Sequence, residues 1–78
     1  MCKSEYKIWQ EYFQDVIDRR KKCEIRKGVF QVGEIFELRE TIKETGEYTG
    51  RTCICTITDV CDFEQKEGYK VLSISVHE

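Results

Sequence analysis

Apolar residues recur along the first part of the chain with the period of a helix. Ile8, Tyr12, Phe13, Val16 and Ile17 follow one another at spacings of four, one, three and one, while Glu11, Gln14, Asp15 and Asp18 fall outside that stripe. The pattern predicts one helix of roughly ten residues, with a short strand over residues 4–8 ahead of it. From Lys22 onward the period drops to two, and Gly28, Gly33, Gly46, Gly50 and Gly68 mark places for turns. Strands are predicted over 22–27, 34–40, 51–60 and 69–76. In the second of these, Phe36 and Leu38 face inward and Glu37 and Arg39 outward. In the last, Leu72, Ile74 and Val76 share a face. The run Cys53-Ile54-Cys55-Thr56-Ile57-Thr58 is uncharged and rich in β-branched residues, as a well-paired strand is. Glu44 to Gly50 reads as a polar hairpin tip, and Asp62 to Gly68 as an acidic connection.

These elements fit one domain spanning 1–78. A chain of this length buries only about 60% of its unfolded surface, which is too little for a large open sheet with a one-sided core. The economical arrangement is an α+β fold, a curled mixed barrel of about five strands plugged by one main N-terminal helix.

Composition changes that picture in three ways. A hydrophobic fraction of 40% with 36% charged residues describes a folded core under a solvated surface rather than disorder. The absence of an eighteen-residue apolar run or a signal-peptide pattern predicts a soluble, cytoplasmic protein with no membrane partner. Five cysteines at irregular spacing predict reduced thiols, several of them buried as small hydrophobes. Cys53, Cys55, Cys61 and His77 lack the paired C-x-x-C spacing of a structural zinc site, and His77 reads as a frayed terminal residue. No metal or other cofactor is expected. Nothing in the pattern sets the oligomeric state.

Charge picks out the candidate chemistry. The net charge is −2, yet Arg19 to Lys27 packs six basic residues and one acid into nine positions. An acidic protein with one cationic segment excludes polyanion binding over the whole surface and predicts a local anion site. Within it, Lys22, Glu24 and Arg26 alternate with Cys23 and Ile25, the period of a strand with one charged and one apolar face. Arg26 offers a planar fork of donors, Lys21 a mobile point charge, and Glu24 an acceptor for an exocyclic amine or a brace for Arg26. Arg39 and Lys22 are placed on the rim of such a cleft. Trp9, Tyr12 and Phe13 are candidate stacking surfaces for an unpaired base; Phe13 at its helical spacing reads more simply as core, and Trp9, off the helical stripe, is the better candidate. The plainer alternatives are a solvated strand, with Arg19 and Arg20 serving only the negative pole of the preceding helix.

The residues also resemble a known group. Tyr6-Lys7-Ile8, Glu11-Tyr12-Phe13, the motif Arg20-Lys21-x-x-Glu24-Ile25-Arg26-Lys27, Phe30-x-Val32-Gly33-Glu34 and Leu38-Arg39-Glu40 occur in an order similar to that of ASCH domains of the PUA-like superfamily. More narrowly, the chain resembles a small ASCH-like branch common in phage and bacterial mobile DNA. Its members carry a hairpin like Glu44 to Arg51 and an ending like Glu67-Gly68-Tyr69-x-Val71-Leu72-Ser73-Ile74. The resemblance covers nearly the whole chain. It implies a PUA-like β-barrel with a helix across one opening and a cleft formed by Lys21, Glu24 and Arg26, in a superfamily associated with RNA binding, modified-base recognition and, in some members, hydrolysis of an acylated nucleoside. The chain departs from the branch at Arg19, a position often held by Gly, and at Lys22, often a small or hydroxyl residue. Glu24 stands where amidohydrolase-type members place a Thr.

Three functions follow as expectations. The first is a module that binds RNA or a nucleotide-like small molecule through Lys21, Lys22, Glu24, Arg26, Arg39 and Trp9. The second is a small nucleoside amidohydrolase using Lys21 and Glu24, for which no nucleophile is defined. The third is a phage or regulatory protein whose acidic surface, Glu34 to Glu47 and Asp59 to Glu67, meets a basic protein partner.

Overall fold

The computed structural model describes residues 4–77, so Cys2, one of the expected thiols, lies outside the described residues. Strand β1 (Ser4–Trp9) runs directly into helix α1 (Gln10–Ile17), followed by β2 (Cys23–Lys27), β3 (Ile35–Thr41), β4 (Tyr48–Cys61) and β5 (Tyr69–Val76). They form a single five-stranded sheet in the order β1-β3-β4-β5-β2. β1 lies parallel to β3, and the other pairings are antiparallel. The result is a half-barrel of mixed strands with one short helix, a small α+β barrel-like fold. Among the described residues, no helix is long and apolar enough to cross a membrane.

Two interruptions curl the sheet. The β3–β4 register shifts between Arg39 and Thr41, and the β4–β5 register between Ile57 and Asp59; extra residues of this kind bend a strand and increase its twist. Gly50, placed in the hairpin tip by sequence, lies inside β4 at φ 96°, so that β4 starts at Tyr48 rather than near residue 51. A left-handed glycine serves there as a kink within a strand.

Ile8, Phe13, Val16, Phe36, Leu38, Cys55, Ile57, Leu72 and Ile74 form the core on the concave side. The predicted apolar stripe contributes to it from two elements instead of one. Ile8 points inward from β1, Phe13 and Val16 from α1, and Tyr12 is 43% exposed. The helix begins at Gln10 because β1 occupies Trp9 and everything before it. Cys55 is buried as expected, whereas Cys23 and Cys61 are exposed. His77 is not frayed: its amide donates to the Ile54 carbonyl at 2.8 Å and its ring is hydrogen-bonded to Thr56.

The period of two that buries Phe36 and Leu38 also buries Glu40, which is 2% exposed. Its carboxylate accepts a 2.6 Å hydrogen bond from the Thr49 hydroxyl and lies 3.6 Å from the Arg51 guanidinium. Arg51 in turn donates to Gln14 Oε1 at 3.0 Å and sits 4.9 Å over the Phe13 ring, so one buried carboxylate ties the β3–β4 hairpin to the helix. Replacing Thr49 with alanine strips Glu40 of its short hydrogen bond and lowers stability by about 1–3 kcal/mol, measurable by urea denaturation.

The helix ends in a Schellman motif. The Arg19 amide donates to the Val16 carbonyl at 3.0 Å and the Arg20 amide to the Asp15 carbonyl at 2.8 Å. Arg19 occupies the left-handed position of that motif at φ 61°. Glycine is the usual residue there, because a side chain costs roughly 1–2 kcal/mol in this region.

Candidate functional site

β1 and β2 are the two edges of the half-barrel, and they face one another across its open side. One direct bridge spans the seam: Arg26 Nη2 donates to the Lys7 main-chain carbonyl at 2.7 Å. The Arg26 guanidinium also lies 5.0 Å over the Tyr6 ring. Tyr6 is itself held by a hydrogen bond to Glu34 at 3.2 Å, and burial is the first cause that pushes its phenol above the ordinary value.

β2 presents its faces in a way that sequence alone does not settle. Glu24 and Arg26 turn toward the seam, their side chains 12% and 24% exposed, while Ile25 on the other face is 59% exposed. The charged face is the inner one. Beside it opens a cleft of about 450 Å³, bounded by Lys7 and Trp9 of β1, Tyr12 of α1, Lys21, and Glu24 and Arg26 of β2. That volume lies in the range of small-molecule sites.

Glu24 lies between two cations without a hydrogen bond to either. Lys21 Nζ is 3.8 Å from one carboxylate oxygen and Arg26 Nη2 is 3.8 Å from the other, both beyond hydrogen-bond length. Oε1 is buried and accepts no hydrogen bond from the protein. An unsatisfied buried acceptor costs about 1–3 kcal/mol, and a carboxylate with an unused lone pair at the wall of a cleft is able to receive an N–H from a ligand. The cleft thus presents a single acceptor flanked by two donors, the complement of a group carrying an N–H beside carbonyl or phosphate oxygens.

The aromatic wall is a ladder. Trp9 and Tyr12 stack at 6.1 Å with 23° between their planes, Lys43 lies 4.7 Å over Trp9, and Lys21 lies 5.6 Å over Tyr12.

The structure brings Lys21, Glu24, Arg26 and Trp9 together around one cleft. Arg39 and Lys22 are not on its lining. Arg39 pairs with Glu5 at 3.3 Å and covers the Tyr48 ring at 3.8 Å, one strand away from the seam. Lys22 lines a separate pocket beside the end of α1. Tyr12, a stacking candidate by sequence, lines the cleft, and Phe13 is buried in the core. Sequence reasoning missed Lys7 as a lining residue; the alternation Glu5, Lys7, Trp9 would have placed Lys7 next to Trp9 once β1 was extended to residue 9. Thr41 also borders the cleft, with its hydroxyl donated to the Ile8 carbonyl at 3.2 Å. The acidic surface is reduced as well, since Glu40 is buried and Glu34 accepts hydrogen bonds from Ser4 and Tyr6.

Cys53 and Cys55 share a strand face as expected, with their sulfurs 3.9 Å apart. No cluster of three metal-ligating residues exists among the described residues. The hydrogen bond between the thiols holds Cys53 below the ordinary thiol range and pushes Cys55 well above it, reinforced in Cys55 by burial and by the charges of Cys53 and Glu24. Alkylation in the native state is expected to mark Cys53 well before Cys55, at a rate that starts to rise at a lower pH than for an ordinary thiol. Peptide mass mapping checks this, and equal labelling of the two would contradict the geometry.

Residues 4–74 match the family described as Domain of unknown function (DUF3850), and the chain belongs to that family. No curated protein matches the chain.

Proposed function

We propose that this domain binds RNA or a nucleotide by taking a single unpaired base into the cleft between β1 and β2. The observation that carries the proposal is the Glu24 carboxylate at the cleft wall, with Oε1 buried beside Arg26 without a hydrogen-bond donor and Oε2 beside Lys21. In this reading Glu24 accepts an N–H from the base edge, Arg26 and Lys21 donate to its oxygens or to an adjacent phosphate, and Trp9 and Tyr12 supply the aromatic surface. The half-barrel with one short helix and the Lys-x-x-Glu-x-Arg strand support a kinship with ASCH domains of the PUA-like superfamily, which is part of the same proposal. In this reading the domain recognises its ligand, and the Thr41 hydroxyl at the border of the cleft is already hydrogen-bonded to main chain.

Trp9 is the only tryptophan in the chain and lines the cleft, so its fluorescence reports occupancy directly. Titration with short single-stranded RNA and with mononucleotides at low salt is expected to give saturable quenching. Glu24→Gln keeps the shape of the side chain, removes its charge, and is expected to weaken binding of bases that carry an N–H on their pairing edge by roughly tenfold to a hundredfold, the worth of one good base-edge contact. Absence of binding to RNA, DNA and nucleotides alike at low salt would overturn the proposal.

A further inference from the structure

The cationic segment does not end at the cleft. On the other side of Lys21 lies a smaller pocket of about 190 Å³, between the end of α1 and β5, where Arg19, Lys21, Lys22 and Ser75 stand over a floor formed by Val16 and Ile74. Lys21 lines both hollows and is their common wall. We propose that this second pocket is a phosphate subsite, which receives a phosphate of the nucleotide whose base occupies the cleft. The inference rests on the reading of the cleft as a base site.

The local charge balance favours an anion there. Arg20 is withdrawn from the pocket by Asp15 at 3.3 Å and Asp18 at 2.9 Å, and it offsets one of those two negative charges, which leaves one against the two unpaired cations of the pocket. Arg19 and Lys22 have no ion-pair partner among the described residues; Arg19 makes only a 3.2 Å bond to the Ile17 carbonyl, which leaves most of its donors for a ligand. The negative pole of α1 is blunted at this end, because the amides of Asp18, Arg19, Arg20 and Lys21 all donate to its last carbonyls. Lys22 is anchored through its carbonyl, which accepts the Ile74 amide at 2.9 Å.

Arg19 carries the argument furthest. It sits at φ 61° in the one position of the Schellman motif where glycine is the unstrained choice. A strained backbone that keeps a long cationic side chain at the mouth of a basic pocket points to work done by that side chain. Lys22, next to it, adds a second unpaired cation. Phosphate oxygens suit this combination, since Arg binds them through its planar fork and Lys as a point charge.

The test compares one nucleoside with its 5′- and 3′-monophosphates against the intact protein and the Arg19→Gly and Lys22→Ala variants, by Trp9 fluorescence at low salt. The intact protein is expected to bind one of the monophosphates at least tenfold more tightly than the nucleoside. Each variant is expected to lose most of that advantage while nucleoside affinity stays unchanged. Arg19→Gly is also expected to melt higher than the parent, because glycine relieves the left-handed strain, so its loss of phosphate affinity cannot come from misfolding. Nucleoside binding with no monophosphate advantage, or an advantage that survives both variants, would overturn the subsite and leave the base site standing. Failure of nucleoside and monophosphates alike would overturn both.

Discussion

Arg26→Ala is expected to lower the affinity for single-stranded RNA by roughly tenfold to a hundredfold and to flatten its salt dependence. The guanidinium bridges the seam by donating to the Lys7 carbonyl, and at the same time flanks Glu24 and lies over Tyr6. A hydrogen bond to a charged group contributes about 1.5–3 kcal/mol, and each 1.4 kcal/mol is about tenfold in affinity. The salt slope falls because one fewer cation displaces counterions when the ligand binds. Arg26→Lys is expected to restore only part of the affinity, since an ammonium cannot span the seam and offer a planar fork to the ligand together. The edge carbonyl left behind at Lys7 is able to turn to solvent, so the alanine variant stays folded. Filter binding or fluorescence titration at two salt concentrations reads the first effect, and a thermal melt the second. An affinity that does not change would show that Arg26 braces the seam and nothing more.

Phe13→Ala carries the largest expected loss of stability, about 3–5 kcal/mol. Phe13 has no exposed surface, is one of two buried residues on an eight-residue helix, and supports the Arg51 guanidinium that reaches back to buried Glu40. Truncation removes the helix's main anchor and opens a cavity at the centre of a small core. Against a total stability of about 5–15 kcal/mol for ordinary domains, and with about 4–8 °C of melting temperature per kcal/mol at this size, a fall of at least roughly 12 °C is expected by circular dichroism. A fall of only a degree or two would mean that the helix contributes little to the core. Because Tyr12 lies on α1 and Lys21 follows it, this variant is expected to lose ligand binding too, but only in proportion to the fraction unfolded.

The strands were legible where one face is apolar and the opposite face is not. The alternation Leu72, Ile74, Val76 marks β5 to both of its ends, and Phe36 with Leu38 marks β3 to within a residue at each end. The helix was legible as an element but not in its membership, because Ile8 is buried from a strand that runs straight into α1 and mimics a helical spacing. The chemistry of the cleft was legible for a local reason: Glu24 and Arg26 lie two apart on one strand, which brings them to one face whatever surrounds it, and Lys21 is only three residues before Glu24.

Other features depended on partners distant in sequence. Whether the charged face of β2 points inward depends on where the barrel fails to close, which no local pattern records. Arg39 was placed on the cleft rim by its charge, yet Glu5 and Tyr48, both far from it in the chain, hold it elsewhere. Glu40 is a different case. Its position on the inner face of β3 follows from the same period of two that buries Phe36 and Leu38, but its pairing with Thr49 and Arg51 needed the bulged hairpin to be known. Reading every carboxylate between Glu34 and Glu47 as surface overlooked that period.

The central claim is that the space between the two sheet edges is a binding site. Its most direct test is a ¹H–¹⁵N correlation spectrum of the labelled protein, titrated with short single-stranded RNA at low salt. Shifts are predicted at the Trp9 indole, Tyr12, Lys21 to Arg26 and the Lys7 amide, reversed by added salt, with the acidic connection from Asp62 to Gly68 unmoved. A well-dispersed spectrum in which the cleft resonances stay fixed, or in which only the acidic connection moves, would contradict it.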